Sequence, residues 1–143
     1  MATILLIDAD PDGSLAAELE ARAPCLVHHV VSTDGSVPMI CARITALDPV
    51  APLFVVTAIP DASILAGIAL AQRAAHRRIE GYVLIAPIRV TTTDTWPEAP
   101  VFVTTSTAVP DSVGAALRGW TVVTAESTRD QAEAIITAAS SVG

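Results

Sequence analysis

The chain contains no lysine and no asparagine, so its eight basic residues are all arginine. Without lysine there is no phosphate-gripping P-loop, no Schiff base and no lysine-completed receiver switch. Charge is scarce as well, at 16% of residues against about 25% in an ordinary domain. The net charge of −7 argues against binding a phosphate backbone, which needs a basic face, so no nucleic-acid partner is expected. Aromatic residues make up only 3% while hydrophobic residues make up 52%, so the core must be built from Ala, Val, Ile and Leu. Cys25 and Cys41 are the only cysteines. They form neither a disulfide framework nor a zinc site, and their apolar neighbours predict buried free thiols. No apolar run approaches the roughly 18 residues that cross a membrane. The first residues, Met1 to Ile4, carry no basic leader and Asp8 breaks the apolar run that follows, so neither a signal peptide nor a membrane partner is expected. The expected compartment is the cytoplasm, where thiols stay reduced. No cofactor and no metal is required by any motif.

What is present is an alternation of short apolar runs with amphipathic stretches, the pattern of a parallel sheet covered on both faces by helices. In 143 residues this predicts one α/β domain, a three-layer sandwich with a mostly parallel sheet of about six strands. Strands are predicted at Thr3–Ile7, Leu26–Val31, Leu53–Thr57, Tyr82–Ala86, Val101–Thr105 and Thr121–Thr124. Helices are predicted at Ser14–Arg22, Met39–Leu47, Asp61–His76, Asp111–Leu117 and from Thr128 to about Ser140. Ser14 and Asp61 are candidate N-caps, and Thr128 with Gln131 has capping-box spacing. Arg73, Arg77 and Arg78 suit the negative end of the third helix. The segment Ile88–Pro100 is irregular and rich in threonine, with Trp96 inside it. Trp96 either anchors a ligand or a subunit, or simply packs. The high mean hydropathy suggests that a second copy covers part of the surface, which makes a homodimer the expected assembly.

The order of these pieces resembles the α/β-hydrolase fold reduced to its central part, closest to small, nearly cap-less serine hydrolases and esterase- or thioesterase-like proteins. Ile4–Asp8 is similar to the strand that leads into the oxyanion loop. Val30–Gly35 is similar to the passage after the next strand. Pro52–Pro60 stands where the nucleophile strand and its elbow would be. Ile79–Pro87, Pro100–Pro110 and Gly119–Glu126 resemble the three strands that follow. The resemblance implies a crevice at the strand ends that takes a small acyl- or carbonyl-containing molecule, with Asp8, Asp10, Asp34, Pro60 and Glu126 lining it.

The catalytic residues of that family do not carry over. An elbow reads G-x-S-x-G, because small flanks let a strained turn expose the serine. Here the frame falls on Ala58–Ala62, and the nucleophile position is Pro60. The acid position, near Ala108 or Val109, is apolar, and the histidine position falls near Ser127 or Thr128. All three histidines, His28, His29 and His76, precede the fifth strand, so the order serine, acid, histidine cannot occur. The oxyanion loop is replaced by Asp8–Gly13, whose three carboxylates would repel a developing oxyanion.

Four alternatives follow. Ser63 is either a displaced nucleophile, activated by Asp61 or a histidine of the second strand, or a first-turn hydroxyl bonded to backbone. Asp61 is either an acid–base group or a helix cap. Asp8, Asp10 and Asp12 are either ligands for a divalent ion or a polar turn held by local Asx hydrogen bonds. His28 and His29 are adjacent, so on a strand they face opposite sides and do not share one metal. Ile4–Pro11 also resembles the opening of a response-regulator receiver. That reading lacks its lysine and leaves the unit Thr121–Ser140 unexplained. The expected function is that of an atypical, triad-less hydrolase-like protein, with catalysis, if present, resting on Asp61 and Ser63. The alternative is a non-catalytic binding or partner protein, and a degenerate receiver is the third.

Overall fold

A computed structural model describes residues 2–33, 36–59, 63–86, 99–106 and 119–142. Within them lie β1 (Thr3–Asp8), α1 (Ser14–Arg22), β2 (Val27–Val31), α2 (Val37–Leu47), β3 (Leu53–Thr57), α3 (Ile64–Ala74), β4 (Ile79–Ile85), β5 (Val101–Thr105), β6 (Thr121–Thr124) and α4 (Thr128–Val142). The six strands form one sheet in the order β2-β1-β3-β4-β5-β6. Every pairing is parallel. The helix expected at Asp111–Leu117 and the loop around Trp96 lie outside the described residues.

The continuous apolar strands follow from burial on both faces. All six residues of β1 and all five of β3 are buried. Alternate residues serve different layers. On one face, Ile4, Leu6, Phe54 and Val56 pack with Leu15 and Leu19 of α1 and with Ile135 of α4. On the other, Leu5, Ile7, Val55 and Tyr82 pack with Ile40 and Ile44 of α2 and with Leu65 and Ile68 of α3. Each fully buried Leu or Ile contributes about 1.5–3 kcal/mol. Many medium-sized side chains therefore replace the aromatic ones that the chain lacks. Cys25 and Cys41 are free but only half-buried, against the expectation of full burial. Desolvation still pushes both thiols above their usual range.

Local chemistry moved several boundaries. β4 starts at Ile79, three residues before the expected Tyr82, with Glu80 and Gly81 inside it. The register shifts between Leu53 and Phe54 at that point, and Glu80 occupies the extra position with a buried Oε2 that lacks a hydrogen-bond partner. Gly81 is required there because a Cβ would stand 2.7 Å from Phe54 Cε1. α1 has Gly13 as its N-cap, in the left-handed region at φ 67, so Ser14 is the first helical residue and not the cap. α4 is capped by Ser127, whose Oγ accepts the Asp130 N–H at 3.1 Å, one residue before the expected Thr128. α3 stops at Ala74. His76 N–H bonds to Arg73 O and Arg77 N–H to Gln72 O, with His76 at φ 60. That is a Schellman ending with histidine where glycine is usual.

Candidate active site

In an open parallel sheet, ligands bind outside the carboxyl ends of the strands where the strand order reverses. The reversal here is at β1, which has β2 on one side and β3 on the other. Asp8 ends β1 and is 5% exposed. The register places Leu6 opposite His29 and Asp8 opposite Val31. Leu6, Asp8 and His29 therefore share the face covered by α1 and α4. His29 Nε2 lies 2.6 Å from Asp8 Oδ1, with side-chain exposures of 17% and 7%. A charge-assisted hydrogen bond this sheltered from water contributes about 1.5–3 kcal/mol. The expectation that His28 and His29 face opposite sides agrees with this alternation. The Asp8–His29 pair itself was not anticipated, because it depends on β2 being the neighbour of β1.

With the Asp8 carboxylate accepting, the proton of a neutral imidazole sits on Nε2 and leaves a lone pair on Nδ1. Nδ1 and Cε1 look towards Gly13, where a Cβ would lie 3.6 Å from each. The helix-opening glycine thus leaves room beside the ring.

The rest of the acidic loop is occupied with its own backbone. Asp10 Oδ1 accepts the Asp12 N–H at 2.9 Å, and Asp10 Oδ2 accepts the Ser14 N–H at 3.2 Å. The Asp10 N–H in turn donates to Asp8 Oδ1 at 3.2 Å. The bonds from Asp12 and Ser14 hold the Asp10 carboxyl below its usual range. This is an Asx arrangement that also satisfies the first donor of α1. Among the described residues, no three His, Cys, Asp or Glu side chains converge on a place for a metal ion.

The other candidates are not gathered with this pair. Ser63 is the N-cap of α3, and α3 packs on the opposite face through Leu65 and Ile68. Glu126 follows β6, four strand spacings from β1, which is about 19 Å of sheet width. Thr57, at the end of β3, is fully buried, and its Oγ1 accepts the Ile59 N–H at 3.2 Å. Asp34, Pro60 and Asp61 lie outside the described residues. Among the described residues, no helix is long and apolar enough to cross a membrane.

No family model and no curated protein matches the chain. Among solved structures, a protein from Xanthomonas campestris pv. campestris assigned to the alpha/beta hydrolase superfamily matches with a TM-score of 0.60. The match covers 99% of this chain and 99% of that one, at 13% identity. A single parallel sheet with helices on both faces, in the order that places β1 between β2 and β3, gives this chain an α/β-hydrolase-like fold.

Proposed function

We propose that this chain is a triad-less hydrolase-like protein that binds and processes a small acyl- or carbonyl-containing metabolite at the carboxyl ends of β1 and β3. The Asp8–His29 pair is its proton-handling group. The observation that carries this reading is the 2.6 Å contact between two largely buried side chains at that edge. Asp8 fixes the ring and its tautomer, as the acid of a triad does for its histidine. His29 Nδ1 then takes a proton from water as the water oxygen bonds to the carbonyl carbon. The C=O electron pair moves onto oxygen. When the adduct collapses, the imidazolium returns the proton to the leaving group. No protein nucleophile is needed, which suits a chain with Pro60 at the elbow position. Asp10 shapes the loop, and Asp34 and Pro60 belong to the lining that the family likeness implies, whereas Glu126 lies too far along the sheet to join it.

A second reading is a binding protein without turnover. It is favoured by the histidines all preceding β5, which removes the usual chain order of catalytic groups. Short-chain p-nitrophenyl esters and acyl thioesters separate the two. The first reading expects turnover that falls at least about 100-fold in His29→Ala and in Asp8→Asn, while Ser63→Ala retains it. Turnover that survives His29→Ala but is lost in Ser63→Ala moves the chemistry to Ser63 with Asp61 and overturns the dyad. No turnover above background overturns the catalytic reading in favour of binding alone.

A further inference from the structure

A second site lies at the opposite end of the sheet. α3 runs back along the sheet and ends near the start of β4. There the described residues Ala69, Arg73, His76, Arg77, Arg78 and Ile79 line an open cleft of about 470 Å³. Three of the chain's eight arginines fall within these six positions, 73–78, of a protein whose net charge is −7. The geometry points to a binding site for a small organic phosphate, with its dianionic head between Arg73, His76 and Arg78 and its apolar body against Ala69 and Ile79.

Four observations carry this. First, the wall is fixed in advance. Arg77 Nη2 donates to Asp48 Oδ1 at 2.8 Å, and Nη1 donates to Gln72 Oε1 at 3.3 Å. Gln72 is 2% exposed. Second, Arg73 and Arg78 are exposed, and among the described residues neither forms an ion pair. Of the acidic neighbours, Asp48 is paired with Arg77, and neither Asp48 nor Glu80 forms an ion pair with Arg73 or Arg78 among the described residues. Third, the negative end of α3 does not use up these cations. The carbonyls of Ala71, Gln72 and Arg73 already accept backbone N–H groups from Ala75, Arg77 and His76. Fourth, His76 takes a left-handed conformation at φ 60, which glycine adopts without strain and histidine does not. Strain of this kind persists where a side chain is needed, and here it keeps an imidazole in the lining of the same cleft as Arg73 and Arg78. Guanidinium groups match the oxygens of a phosphate in pairs. The cleft is of small-molecule size, larger than a bare anion fills, and this selects a phosphate ester over inorganic phosphate.

The test is calorimetric titration of the full chain with phenyl phosphate, with inorganic phosphate and benzyl alcohol as comparison probes. Saturable binding of phenyl phosphate is expected, tighter than that of inorganic phosphate, with none for benzyl alcohol. Arg73→Gln and Arg78→Gln should each weaken it by roughly tenfold or more. Arg43→Gln, on the exposed side of α2, should leave it unchanged. His76→Gly should raise the melting temperature while weakening binding, a combination that a purely structural histidine would not give. Failure of phenyl phosphate to saturate, equal binding of benzyl alcohol, or binding that survives the Arg73→Gln/Arg78→Gln double variant in a protein that melts normally overturns the proposal.

Discussion

Gly81→Ala tests whether the register shift in β4 is a tightly packed joint. A Cβ at Gly81 would meet Phe54 Cε1 at 2.7 Å, Phe54 Cδ1 at 3.1 Å and Pro100 O at 3.4 Å. Ordinary contact begins near 3.4 Å, so the ring edge must retreat by about 0.7 Å. Phe54 is fully buried, and its ring is 6.3 Å from that of Phe102, so it has little room to retreat. Overpacking of this kind costs about 1–3 kcal/mol. Replacing a strand glycine by alanine gives back about 0.5–1 kcal/mol of backbone entropy. The net expectation is a loss of about 1–2 kcal/mol, or a melting temperature lower by about 4–8 °C for a chain of this size. Thermal unfolding followed by circular dichroism measures it. Phe54→Leu should cost about 1 kcal/mol less in the Gly81→Ala background than in the native chain, because the smaller side chain relieves the clash. An unchanged or raised melting temperature, or additive effects of the two substitutions, would refute the reasoning.

Two further predictions concern the loop and the assembly. The Asp10 carboxyl is held below its usual value of 3.8 by the Asp12 and Ser14 N–H groups, so the folded state binds this proton less readily than the unfolded state does. Its stabilising effect is complete above that value and is lost as pH falls through the lowered one. Thermal melts between about pH 6 and about pH 3 should therefore show the advantage of the native chain over Asp10→Ala shrinking with acid; a gap that is constant or grows would contradict the hydrogen bonds. Exposed Leu26, Met39, Val50 and Leu70, each at least 50% accessible, support the homodimer suggested by the hydropathy. Light scattering at micromolar concentration should give twice the chain mass, and a monomer there would exclude it.

Much of the fold was legible because burial on both faces writes strands as unbroken apolar runs. Thr3–Ile7 and Leu53–Thr57 could be read directly, and of the predicted helices and strands that fall on described residues all but β4 and α3 keep both ends within two residues. β4 was read short because Glu80 and Gly81 interrupt its apolar run, and only the register shift against β3 explains why they are tolerated. The end of α3 was hidden because its left-handed residue is histidine, which gives no glycine signal. The Asp8 half of the candidate site was visible as part of an acidic loop. Its partner was not, because nothing local links residues 21 positions apart. The pairing appears once the sheet order is known. Parallel strands in register then bring Leu6 beside His29 and Asp8 within reach of the ring.

Among the described residues, the two non-glycine residues with positive φ, Asp48 at 45° and His76 at 60°, end helices: Asp48 closes α2 and His76 follows α3. Arg77 joins the two endings. Its N–H closes α3 on Gln72 O, and its guanidinium holds the Asp48 carboxylate. The two helix termini are therefore linked through one arginine. Opening either one releases the same arginine, so amide protons near Asp48 and near Ala75 should exchange with solvent as one unit. The amino-terminal edge of the sheet is in this sense tied across α2 and α3, and one wall of the arginine cleft is joined to a residue 29 positions away in sequence.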